Sequence, residues 1–186
     1  MSGPATRIAV TVTFLRQDAK PSRIASPFPP DVRLVRLPRP SVAFYRYLYD
    51  TVGGRYVWWL RRAMPDHQLA ELLAAPGVSV YVLYRNEEPA GFFELDARAA
   101  TSVNICYFGL MQQAIGLGLG RKLLDAAVDQ AWSLRPTCLT VNTCTADHPA
   151  ALPTYLRSGF QAVRTVREVW DVPNRLGLAI PGHLRV

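Results

Sequence analysis

The stretch from Cys106 to Leu124, CYFGLMQQAIGLGLGRKLL, limits the possible folds more than any other part of this chain. Ile105, Tyr107 and Phe108 favour a strand, Gln112-Gln113 makes a polar corner, and Gly116, Gly118 and Gly120 then alternate. Directly afterwards Leu123, Leu124, Ala127, Val128 and Ala131 fall on one helical face, so the apolar period changes from 2 to 3.6. The pattern predicts a strand feeding a glycine-rich turn that opens a helix. Glycines let backbone approach a ligand, and the first turn of a helix has free N–H groups and a positive dipole end. Such a turn binds a phosphate or pyrophosphate.

Two familiar phosphate loops are excluded. A Walker loop needs Gly-Lys-Ser/Thr at the helix start, and Gly120 is followed here by Arg121-Lys122-Leu123. A Rossmann fingerprint needs G-x-G-x-x-G and an acid at the end of the next strand; the spacing is G-x-G-x-G, and Leu139 to Thr145 carries no acid.

The stretch resembles motif A of the GNAT superfamily of N-acetyltransferases, Q/R-x-x-G-x-G/A. Aligned on the two glycines before the helix, the motif covers Ile115 to Gly120, with Ile115 where Gln or Arg is usual. The other register, Gln113-x-x-Gly116-x-Gly118, leaves four residues before Leu123-Leu124 where the family has two. A second stretch, Tyr155-Leu-Arg-Ser-Gly159-Phe160, resembles motif B of the same superfamily, Y-x-x-x-G-F. It follows an apolar strand (Cys138 to Val141) and a loop (Asn142 to Pro149), as that motif order requires. The resemblance covers roughly residues 40 to 172.

At 186 residues and 49% hydrophobic content, the chain fits one domain with a sizeable core. No apolar run reaches a membrane span, and the amino terminus is too short and polar for a signal peptide. These features predict a cytoplasmic protein without membrane attachment. Cys106, Cys138 and Cys144 lack C-x-x-C spacing and read as reduced thiols, without disulfide or metal. The net charge of +7 comes from 19 Arg and 2 Lys against 14 acids, with no run beyond Arg61-Arg62. No nucleic-acid surface is visible, and an acidic ligand such as coenzyme A accounts for part of the balance.

The periodicity predicts strands over 7–15 and 32–37, and a helix capped by Ser41 that ends at Gly53-Gly54. A further piece over Tyr56–Ala63 is expected to be helical or nearly so, followed by a short helix capped by Asp66. Three antiparallel strands come next (Val78 to Leu83, Gly91 to Asp96, Ser102 to Leu110), then the glycine loop and its helix. A strand, a short helix starting near Pro153 and a last strand over 163–172 complete the order. The fold class is α/β (α+β): a mixed, mostly antiparallel central sheet flanked by helices, in a single domain, as the resemblance also implies. Residues 1–30 form an N-terminal strand and Pro-rich connection within that domain, 31–172 the GNAT unit, and 173–186 a tail.

The resemblance implies an N-acetyltransferase that passes the acetyl group of acetyl-CoA directly to a primary amine, in a ternary complex and without metal. The main chain of Phe108 and Leu110 would pair with the pantetheine amides. The loop residues Ile115, Gly116, Leu117, Gly118, Leu119, Gly120 and Arg121 would hold the pyrophosphate. His148 stands where many members have Asn close to the coenzyme. Tyr155 occupies the place of the tyrosine that protonates the thiolate. Asn104 falls where some members have a catalytic Glu, and an amide cannot take a proton. Either Glu94, an acid among the apolar neighbours of GFFEL, is the replacement base, acting through an ordered water, or the acceptor arrives already neutral. Tyr45, Tyr49, Tyr56, Trp58 and Trp59, with Arg61 and Arg62, form either an acceptor wall or core. The acceptor is a small-molecule or peptide amine, and monomer and homodimer stay open. The rival reading is a non-catalytic domain that senses acyl-CoA, with Asn104 as its lost base.

Overall fold

The computed structural model describes residues 3–23 and 26–186. Met1 and Ser2, and residues 24 and 25 of the Pro-rich connection, lie outside the described residues. The strands are β1 (Ala5–Gln17), β2 (Val32–Leu37), β3 (Val78–Arg85), β4 (Glu88–Asp96), β5 (Ser102–Leu110), β6 (Cys138–Cys144) and β7 (Gln161–Pro173). The α-helices are α1 (Val42–Gly53), α2 (Leu60–Ala63), α3 (Asp66–Ala74), α4 (Leu119–Ser133) and α5 (Ala151–Arg157). The sheet runs β2-β3-β4-β5-β6-β1-β7; β5 and β6 are parallel, and the other five pairings are antiparallel.

Side-chain alternation divides the core between the two faces of the sheet. Val80, Val82 and Phe92 pack with Tyr45, Leu48, Tyr49 and Val52 of α1 and Leu69 and Leu73 of α3. The alternate residues, Leu83, Phe93 and Leu95, meet Leu119, Leu123, Leu124, Ala127, Val128 and Ala131 of α4. Each fully buried Leu of that stripe is worth about 2 kcal/mol, and the stripe is what seats α4 behind β5.

β1 enters the sheet between β6 and β7, far from its sequence neighbour β2. Ile8, Val10 and Val12 point into one cluster with Val57 and Val172. An irregularity in the β1–β7 register between Phe14 and Leu15 then turns Leu15 to the α4 face.

Ser41 caps α1 as its position predicts, its Oγ accepting from the Phe44 N–H at 3.2 Å. Two local expectations need correction. The segment Tyr56–Ala63 is helical only from Leu60, because Val57 takes a left-handed φ of +56° and breaks the turn. The kink folds Trp58 back over Gly53, where a Cβ would lie 2.4 Å from the indole. Asp66 is not the cap of α3; Pro65 holds that position, and Asp66 pairs with Arg46 at 2.6 Å. Helix α5 is short and starts near Pro153, as expected; Pro153 sits in its first turn, where a missing N–H costs nothing. Among the described residues, no helix is long and apolar enough to cross a membrane. No group of three or more His, Cys, Asp or Glu among them is placed to hold a metal ion.

Candidate active site

β5 and β6 are hydrogen-bonded only from Ser102↔Cys138 to Ile105↔Val141. Beyond that point β5 stays with β4 as far as Leu110, while β6 stays with β1 through Phe14↔Asn142 and Val12↔Cys144. The two strands therefore diverge. Among the described residues, the β6-facing edge of Cys106–Leu110 has no strand partner. A cavity of about 950 Å³ fills the wedge. Its free backbone donors and acceptors can pair with an extended, amide-bearing ligand as another strand would.

Past the end of β5, where the wedge is open, the chain passes through Gly116 (φ +84°) and Gly118 (φ +72°) into α4. A Cβ at either glycine would meet nothing within 4 Å, so the loop is open to a ligand. Gly118 caps α4 with no side-chain acceptor, leaving the first helical N–H groups for an anion. Gly120 is already helical and has Leu110 at 3.6 Å from a built Cβ. The cradle and the unpaired strand edge together fit a ligand with phosphates at one end and amides along its length.

Tyr155, on α5, lines the cavity and is 6% exposed. It packs edge-on against Phe108 and Phe160. Among the described residues its hydroxyl has no hydrogen-bond partner. Burial, and then the charge of Asp147, push its pKa above the usual phenol value, so it stays protonated at neutral pH.

The far wall is aromatic: Tyr49, Tyr56, Trp58, Trp59, Tyr107 and Trp170 all line it. Arg61 lies over the Tyr107 ring at 5.1 Å and meets Glu94 Oε1 through Nη2 at 2.7 Å. The Tyr45 hydroxyl donates to the other oxygen of Glu94. Burial alone would lower the Arg61 pKa; the charge of Glu94, with Tyr107 and Tyr45, outweighs it and raises the value. Asp147 accepts from Trp58 Nε1 (3.2 Å), Thr143 Oγ1 (2.8 Å) and the Cys144 N–H (2.9 Å). Glu168, half-buried on β7, accepts from Trp170 Nε1 at 2.8 Å.

Ten of the thirteen catalytic and coenzyme-binding candidates line this one cavity: Asn104, Phe108, Leu110, Ile115, Gly116, Gly118, Gly120, Arg121, His148 and Tyr155. Leu117 and Leu119 do not; the first is exposed on the loop, and the second turns its side chain into the core. Arg121 is tied to Asp125 at 2.9 Å, and His148 Nδ1 accepts from the Ala150 N–H. Asn104 accepts from Thr140 Oγ1 at 3.0 Å and donates to the Cys106 sulfur. Glu94 is 1% exposed and absent from the lining: the cavity meets Arg61, not the acid behind it. Sequence reasoning missed Asp147, Glu168 and Trp170. The last two carried a faint signal, since Val166, Glu168, Trp170 and Val172 alternate as the inward set of one strand.

A sheet splayed beside a helix start with free N–H groups has the shape to take an extended phosphorylated ligand, with room beside it for a second molecule. Residues 54–172 match the family model described as an acetyltransferase (GNAT) domain. The chain belongs to the GNAT acetyltransferase family. Solved structures agree on the fold. A GCN5-related N-acetyltransferase from Kribbella flavida is 15% identical with a TM-score of 0.59, over 89% of this chain and 60% of that one. An aminoglycoside acetyltransferase from an uncultured soil metagenomic sample is 17% identical with a TM-score of 0.58, over 73% and 92%. An IAA acetyltransferase from Bacillus cereus is 21% identical with a TM-score of 0.55, over 72% and 79%. Of several larger structures the chain spans only 63%, 60% and 54%. No curated protein matches the sequence.

Proposed function

We propose that this protein is an acetyl-CoA-dependent N-acetyltransferase that passes the acetyl group directly to a primary amine in a ternary complex. The observation that carries the reading is the end of β5–β6 pairing at Ile105↔Val141, beside the left-handed glycines that open α4. The cradle from Gly116 to Arg121 would hold the pyrophosphate, and the main chain of Phe108 and Leu110 the pantetheine amides. Acetyl-CoA supplies an activated acyl carbon and a thiolate leaving group.

The residues of the chain do the rest. Tyr155, with its free hydroxyl, donates a proton to the departing sulfur. Asn104, at the apex of the wedge, orients rather than accepts a proton. Asp147 is already met by three donors and ties Trp58 to the end of β6. Glu94 acts as the fixed counter-ion of Arg61 rather than as the base, because Arg61 and Tyr45 already occupy its oxygens. Cys106 and Cys144 line the cavity, but burial pushes each thiol up to about 12, which suits direct transfer without a covalent acyl-enzyme.

Calorimetry with acetyl-CoA, followed by thiol release with a panel of amines, tests the reading. Micromolar binding with turnover of at least one amine supports it. Tight binding with no turnover across a broad panel replaces it with the sensing domain, the reading that Asn104 in place of an acid favours.

A further inference from the structure

We infer that the acceptor is a cationic primary amine with an aromatic body and no carboxylate, and that Glu168 receives its ammonium and takes its proton. This rests on the acetyltransferase reading.

Charge balance is the first observation. The chain carries +7, yet two acids on its acceptor wall have no cation beside them. Arg61 is matched by Glu94 at 2.7 Å. Asp147 and Glu168 line the cavity, and among the described residues neither has a basic group within 4.0 Å. Their hydrogen-bond donors are all neutral: two indoles, a hydroxyl and a backbone amide. Of the other cations on the lining, Arg121 is paired with Asp125, and Arg157 bonds Thr154 of its own helix. Arg157 has no acidic partner, but it belongs to α5, whereas Asp147 and Glu168 stand with the aromatic wall, and a second carboxylate brought in beside them would face two like charges. An ammonium supplies what is missing.

The second observation concerns shape and capacity. Tyr56, Trp58, Trp59, Tyr107 and Trp170 offer ring faces and edges to an aromatic amine and to its charge. Asp147 has three donors, whereas Glu168 has one, on Oε2, and its Oε1 makes no hydrogen bond among the described residues. Strand register sets Glu168 opposite Val10, two residues beyond the Val12↔Cys144 pair that marks the mouth of the wedge. The free carboxylate oxygen therefore belongs to the acceptor end of the cavity.

In the step this implies, R–NH₃⁺ gives one proton to Glu168 Oε1, which passes it to solvent. The freed lone pair forms the C–N bond to the acetyl carbon, and the C–S bond breaks. The sulfur takes a proton from Tyr155, which recovers one from the second N–H lost by the nitrogen. The sum is R–NH₃⁺ plus acetyl-S-CoA giving R–NH–acetyl, HS-CoA and one H⁺.

The test compares phenethylamine, phenylalanine and aniline as acceptors for the wild type and Glu168→Gln, with acetyl-CoA affinity measured for both proteins. Gln keeps the acceptor for Trp170 Nε1, so the variant should fold, and thermal melting checks that it does. The wild type should prefer phenethylamine to phenylalanine by roughly 100-fold in kcat/KM, and Glu168→Gln should lower phenethylamine turnover by roughly 10²-fold or more. Aniline is unprotonated at neutral pH, so any turnover it shows should be the same in both proteins, as should acetyl-CoA affinity. Glu168→Asp should keep part of the phenethylamine rate. Equal use of phenylalanine and phenethylamine overturns the inference, as does a Glu168→Gln loss that is absent or shared with aniline. Binding of acetyl-CoA with turnover only of other amines overturns it too but leaves the acetyltransferase reading standing. Failure to bind acetyl-CoA removes both.

Discussion

The carboxylate of Glu94 and the guanidinium of Arg61 meet at 2.7 Å, with side chains 1% and 14% exposed. The acid comes from β4 and the cation from α2, so one ion pair fastens that short helix to the sheet. Arg61 also carries the aromatic wall, through its contact with the Tyr107 ring.

Removing the acid leaves a buried cation without its partner. Glu94→Gln should destabilise the fold by about 3 kcal/mol, and adding Arg61→Leu should recover most of that loss. A urea double-mutant cycle measures the coupling. If Glu94 were instead the catalytic base, Glu94→Gln would lower kcat with little change in the unfolding midpoint.

Gly118 stands at the N-cap of α4 with φ +72° and open space where a side chain would go. Gly118→Val should abolish acetyl-CoA binding. The substitution also strains a left-handed backbone, so it needs a control. Gly177 has φ +61° and equally open surroundings, and it is not part of the cavity lining. Gly177→Val should cost a comparable 1–2 kcal/mol, roughly, in stability while leaving acetyl-CoA affinity unchanged. Equal loss of affinity in both variants would remove the cradle assignment.

The elements around the cradle were legible because their signals are local. Ser102–Leu110 and the Ser41 cap fall where the pattern places them. The two glycines that turn left-handed belong to the predicted loop. Burial of Glu94 followed from its apolar neighbours, but its partner did not. Arg61 reaches it only because Val57 breaks a segment whose composition reads as helix. The place of Glu168 and Trp170 in the site was hidden for a different reason, although their alternation on one strand left a faint signal. They join the site because β1, from the other end of the chain, enters between β6 and β7, and strand order depends on pairings that no local pattern encodes.

Tyr155→Phe removes only a hydroxyl that has no partner among the described residues, so stability and acetyl-CoA affinity should hold. The expected loss in kcat is about 10²–10⁴-fold. Because burial raises the phenol's pKa, no alkaline fall in rate from Tyr155 should appear below pH 10, about the value of a free phenol. A loss under about threefold, with chemistry rate-limiting, would assign the residue to packing.

Cys106 and Cys144 give a pH dependence whose sign can be worked out. Burial, with the charges of Glu94 and Asp147 respectively, moves each thiol from 9.0 to about 12. Below pH 9 both are protonated in the folded and the unfolded chain, and the full stability is present. As pH rises from 9 to 12 the unfolded chain ionises while the folded one does not, so stability falls across that window. Tyr45, Tyr49, Tyr107 and Tyr155 are also raised, and they add to the loss only as pH rises through about 10, the free phenol value. The interval between pH 9 and 10 therefore belongs to the thiols. Replacing both by Ala should flatten the unfolding free energy there, with the slope above pH 10 remaining. In the native protein at pH 8, iodoacetamide should label each thiol at least about 10²-fold more slowly than free cysteine, because thiolate is scarce. Labelling of Cys106 at the free-cysteine rate would mean an ionised thiol in the cavity, and direct transfer would then have a covalent competitor.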